Sequence, residues 1–149
     1  MVNDLTTASL SHTDVANRLR PAVLKLAREL RRESHALGVT GGQVTLLIQI
    51  RKRRGIGVRD LAALERMSPA AMSGYVARLE KAGLVMRTPD QLDRRRHGLS
   101  VTAEGERVLR SVRSRRTALL ANRLEGLSDD DLAALDAAVE PLLRLVEDE

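Results

Sequence analysis

The sequence predicts a mainly α chain interrupted by one small β-hairpin, and three observations predict it. Apolar residues recur at steps of three and four through most of the 149 residues, the period of a helix with one buried face. One short stretch breaks that period: Leu99-Ser100-Val101 alternates like a half-buried strand, after a charged loop. Finally, Ser, Thr and Gly sit where helix caps belong.

The first helix is expected from Thr13 to Ala36. Thr13 is the expected N-cap, with Asp14 in the first turn. Val15, Leu19, Val23, Leu26 and Leu30 form its stripe. Pro21 lies inside it and should kink the helix or delay its regular start. Gly38 stops it. The second helix starts at Thr40, where Thr40-Gly41-Gly42-Gln43 has the spacing of a capping box. Val44, Leu47, Ile48 and Ile50 are its apolar side. It ends in Arg51-Lys52-Arg53-Arg54, followed by Gly55.

The third helix is short, Val58 to Arg66, with Leu61, Ala62 and Leu64 apolar. After a break at Met67-Ser68, Ser68 caps a fourth helix and Pro69 takes its first position. That helix runs to Ala82, with Met72, Val76 and Leu79 on one side and Gly83 as the stop. Leu84 to Thr88 then reads as a strand and Pro89-Asp90 as a turn. Asp93-Arg94-Arg95-Arg96-His97-Gly98 is a charged loop, and Leu99 to Val101 the returning strand. Thr102 caps a fifth helix reaching Leu124, with Val108, Leu109, Val112, Leu119 and Leu120 apolar. Gly126 breaks it, and Ser128 caps a sixth with Asp129, Asp130 and Asp131 at its positive end. Its seam is Leu132, Leu135, Val139, Leu142 and Val146, whose alternating three and four steps suit packing against another helix.

Composition excludes several classes of function. No cysteine is present, which removes disulfides, thiolate metal sites and thiol chemistry. Aromatic residues make up 1% of the chain, Tyr75 alone, so the core is aliphatic and a single-strand binder that stacks bases on rings is disfavoured. No signal peptide and no bilayer-length apolar run are read, so a soluble, cytoplasmic protein without a membrane partner is expected. The net charge is +5, but from Glu125 onward nine acids face one base. The chain before Glu125 thus carries +13, and a basic body with an acidic tail segment suggests that the two parts face different partners.

The constellation with chemical content is helix, tight turn, helix, basic hairpin. A helix-turn-helix lets its second helix enter the major groove of double-stranded DNA. With Met72, Val76 and Leu79 on the core, Ser68, Pro69, Ala70, Ala71, Ser73, Gly74, Ala77 and Arg78 are left to face outward. Ser73 can reach a phosphate or base edge, Ala70 or Ala71 a thymine methyl, and Arg78 a phosphate or guanine. In the hairpin, Arg94, Arg95 and Arg96 are consecutive, so one or two of them can reach a phosphate or the minor groove.

These residues resemble the multiple antibiotic resistance regulators, the MarR family, over nearly the whole chain. Asp90-Gln91-Leu92-Asp93-Arg94-Arg95-Arg96 leading into Leu99-Ser100-Val101-Thr102-Ala103-Glu104-Gly105 looks like the family's wing signature. Leu79-Glu80-Lys81-Ala82-Gly83-Leu84-Val85 looks like the end of its recognition helix. The resemblance implies a winged helix-turn-helix at residues 39–102, flanked by long dimerisation helices at 1–38 and 103–149. It also implies a homodimer on a pseudo-palindromic operator, repressing transcription, with a small-molecule effector often weakening DNA binding. Two departures stand out. Gly74 and Ala77 are bare where the family often carries larger polar residues. The lack of cysteine excludes a thiol-based peroxide sensor.

Blander readings compete with these. Arg51 to Arg54 reads first as cationic termination of a helix, and Tyr75 as partly buried packing. His12, His35 and His97 have no metal-ligand spacing, and His97 reads as a polar loop residue. No nucleophile–base pair, glycine-rich phosphate loop or paired-carboxylate motif is found, so neither an enzyme nor a cofactor is expected. The alternative of a different class is a winged-helix protein-interaction module without DNA binding.

Overall fold

The computed structural model describes residues 9–89, 92 and 97–147. Among the described residues the order is α1 (His12–Arg32), a 3-10 turn (Glu33–Leu37), α2 (Gly41–Lys52), α3 (Val58–Leu64), α4 (Pro69–Lys81), β1 (Val85–Pro89), β2 (His97–Val101), α5 (Ala103–Leu124) and α6 (Asp129–Arg144). The mainly helical fold with a hairpin wing is as the sequence predicts.

Caps explain most boundaries. Thr40 and Gln43 close the expected capping box: Gln43 N donates to Thr40 Oγ1 at 3.1 Å and Thr40 N to Gln43 Oε1 at 2.9 Å. Thr102 Oγ1 accepts from Gly105 N at 3.1 Å and donates to Gly83 O at 2.6 Å, so this cap also ties α5 to the end of α4. Ser128 caps α6 in the same way, 3.1 Å from Asp131 N. The start of α1 differs from the expectation. Ser11, not Thr13, accepts from Asp14 N, because a side chain three residues back reaches that amide and one a single residue back does not. The other end tightens into the 3-10 turn, where the buried Ser34 donates Oγ to Arg31 O at 2.6 Å. Helix α1 runs unbroken through Pro21.

The core is aliphatic, as expected. Leu47, Ile50, Leu61, Met72, Val76, Leu79, Leu99 and Val112 join helices α2 to α5 and the hairpin around one centre. The strands pair antiparallel, with Val85 opposite Val101 and Pro89 opposite His97. They extend further toward the loop than expected, so His97 and Gly98 are strand residues. Ile56, just before α3, also bridges to Leu99: Gly55 N donates to Leu99 O at 2.9 Å and Leu99 N to Ile56 O at 2.8 Å. One apolar residue flanked by glycines carries no alternation for a sequence reading to detect. Two glycines permit this packing. A Cβ on Gly98 would lie 2.7 Å from Gly55 O, and one on Gly105 would overlap Leu84 O.

Helix α5 is braced against the 3-10 turn by Arg115–Glu33 (3.5 Å), against α1 by Arg123–Glu29 (3.6 Å), and against α2 by Arg51–Glu106 (3.7 Å). Such exposed pairs contribute about 0–1 kcal/mol each. Arg116 Nε donates to Leu30 O at 3.2 Å; partial burial, then the nearby Arg31 charge, hold its guanidinium below its ordinary pKa. Helices α1 and α6 contain no buried residue.

Candidate nucleic-acid interface

The turn between α3 and α4 is closed by backbone. Met67 N donates to Ala62 O at 2.8 Å, and Arg66 takes a left-handed φ of 54°. Ser68 then caps α4, accepting from Ala71 N at 3.2 Å, and Pro69 opens the helix, where its missing N–H costs nothing. Met72, Val76 and Leu79 are fully buried. Their steps of four and three pin one face of α4 to the core and set its rotation.

That rotation leaves Ser68, Pro69, Ala70, Ala71, Ser73, Gly74, Ala77 and Arg78 exposed. The surface is shallow and mostly uncharged. Gly74 is not required by the chain's own packing, since a Cβ there would meet nothing within 4 Å. The Arg78 guanidinium carbon lies 5.4 Å from the Tyr75 ring centroid. Tyr75 is 42% exposed, partly buried as expected but outside the aliphatic core. The sequence signal for its placement is the i, i+3 spacing to Arg78. The other three sequence-derived site residues, Arg94, Arg95 and Arg96, lie outside the described residues, as does the expected Pro89-Asp90 turn beyond Pro89.

The wing root is tied to α4, with Arg87 Nε donating to Glu80 Oε1 at 2.8 Å. An open cleft of about 830 Å³ runs between the hairpin and the start of α3, lined in part by Arg59, Asp60, Arg87 and His97. Of the basic run at the end of α2, Arg51 is engaged by Glu106 and Arg53 Nη1 donates to Gln49 Oε1 at 2.6 Å. A smaller depression of about 270 Å³ lies behind α4, where Arg31, Gln43, Met67 and Tyr75 meet. Among the described residues no His, Asp or Glu group could hold a metal ion, and no helix is long and apolar enough to cross a membrane.

Comparison with known proteins bears on the same region and on the whole chain. Residues 39–97 match the model of the MarR family. An HTH-type transcriptional regulator of Mycobacterium bovis is 30% identical over 138 residues, 93% of this chain and 96% of its own length. The crystal structure of a Pseudomonas aeruginosa protein described as a transcriptional regulator superposes with a TM-score of 0.81 at 33% identity, covering 94% of this chain and 100% of its own. A mutant of Staphylococcus aureus MepR, solved bound to an oligodeoxyribonucleotide, shares the fold, with a TM-score of 0.68 at 18% identity over 89% of this chain and 97% of its own.

Proposed function

The chain belongs to the MarR family of HTH-type transcriptional regulators, a family of regulators and not of enzymes, and from that premise we propose that it binds double-stranded DNA as a homodimer. One observation carries this reading. Helix α4 is anchored by three fully buried residues and presents every other predicted contact, from Ser68 to Arg78, to solvent. A helix held by one face, with small side chains on the other, fits the major groove. The net +13 of the chain before Glu125 supplies attraction to phosphate. The S. aureus MepR mutant, which shares this fold, was solved bound to an oligodeoxyribonucleotide, which supports DNA as the ligand.

In this reading Arg78 and Ser73 read base edges while Arg94, Arg95 and Arg96 hold the backbone or minor groove. Residues 39–102 form the DNA-binding unit. Residues 1–38 and 103–149 form the dimer, which matches a pseudo-palindromic operator. Occupying that operator in the bacterial cytoplasm represses transcription, and a small-molecule effector relieves it.

The test is fluorescence anisotropy against the upstream intergenic DNA of its own gene and a scrambled duplex, at two salt concentrations. The expected result is tight binding that prefers the native duplex and weakens steeply with salt as counterions are released. No binding to either duplex at low salt would overturn the reading in favour of a protein-interaction module.

A further inference from the structure

The chain has one aromatic residue, and the core does not use it. The largest fully buried side chains are aliphatic, with Ser34 the one polar exception among them. Tyr75 instead lies on α4, 42% exposed, with Arg78 one turn further along. Between Pro69 and Arg78 these two are the only exposed side chains larger than serine or proline. Gly74 and Ala77 beside them are bare, and open space surrounds the position of a Gly74 Cβ. The Arg78 guanidinium lies over the Tyr75 ring, and among the described residues no carboxylate forms an ion pair with it.

We propose that Tyr75 is a positioning residue for Arg78: its ring holds the guanidinium in the orientation from which it reads a base. The inference rests on the reading of α4 as the DNA-reading helix. Arginine carries a long, freely rotating stem whose rotamer freedom must be given up to make a bidentate contact. A ring at 5.4 Å selects part of that freedom before DNA arrives. Since no other long donor lies between Pro69 and Arg78, what orients Arg78 controls most of the discrimination this stretch can exert.

The experiment uses the full chain, anisotropy, the upstream intergenic duplex and its single-base-pair variants. Arg78→Ala first identifies the base pair at which discrimination falls. Tyr75→Phe keeps the ring, whereas Tyr75→Leu keeps bulk without a π face. Tyr75→Phe is expected to discriminate at that pair as wild type does. Tyr75→Leu is expected to lose discrimination there two- to fivefold, equivalent to about 0.5–1 kcal/mol, with an unchanged salt slope and no further loss in the Arg78→Ala background. Thermal melting of each variant checks that folding is intact.

Equal loss in Tyr75→Phe and Tyr75→Leu would overturn the proposal by assigning the hydroxyl its own DNA contact. So would full discrimination by Tyr75→Leu, or an equal loss with Arg78 already removed. A wild-type protein that does not distinguish the native from the scrambled duplex would overturn the DNA-reading function itself, and this proposal with it.

Discussion

At the scale of the residue, two glycines of the same chemical kind have opposite roles. Gly105 sits in the first turn of α5, where a methyl group would overlap the Leu84 carbonyl and press on the Val101 side chain. Gly74 sits mid-helix in α4, where a methyl group would meet nothing. Gly105→Ala is therefore expected to destabilise the fold by about 1–3 kcal/mol through overpacking against rigid backbone. Gly74→Ala should stabilise it by about 0.5–1 kcal/mol, because the helix no longer bears glycine's entropy cost. Chemical denaturation of both variants checks the pair of signs. The sequence shows both as glycines near helices, and only the identity of the nearest atoms separates them.

At the scale of the element, the helix boundaries were largely legible because caps act over three residues. Thr40, Ser68, Thr102 and Ser128 each accept from the amide that the spacing assigns. The hairpin was less legible. Its existence followed from alternation at Leu99-Ser100-Val101, but its true extent to Pro89 and His97 depends on cross-strand pairing. Likewise Gly55 and Ile56 join the wing through one hydrogen bond each with Leu99 that no local pattern announces. The expectation for the wing's chemistry is that Arg95→Ala weakens binding to every DNA sequence alike. Its salt slope, read as log affinity against log salt, should fall by about one, as removal of a single phosphate contact requires. A loss confined to one operator position would instead make Arg95 a base reader.

At the scale of the whole molecule, α1 and α6 pose the clearest physical problem. Neither buries a residue, yet α6 carries Leu132, Leu135 and Val139, between 45% and 48% exposed, and α1 exposes Val15, Val23, Leu24 and Leu26. A 16-residue helix left alone in water is marginal, and a continuous apolar seam marks an interaction site. A second copy of the chain covering both faces resolves this in the proposed dimer. Leu135→Glu should raise the dimer dissociation constant at least tenfold, about 1.4 kcal/mol, measured by sedimentation equilibrium. Operator affinity should fall with it at low protein concentration. An unchanged dimer would place the seam outside the interface.

Periodicity, caps and composition by themselves determined the order of helices, the aliphatic core, the basic hairpin and the buried face of α4, because each is set by neighbours within about four residues or by bulk residue type. Tertiary structure alone decided the extent of the wing, the pairing of Ile56 with it, the opposite demands on Gly105 and Gly74, and the placement of Tyr75 under Arg78 at the surface. Each of these depends on which atoms meet across long stretches of chain or on which way a helix is rotated. Such contacts are set by the packing of Met72, Val76 and Leu79 into a common core, and residue spacing contains that packing only indirectly.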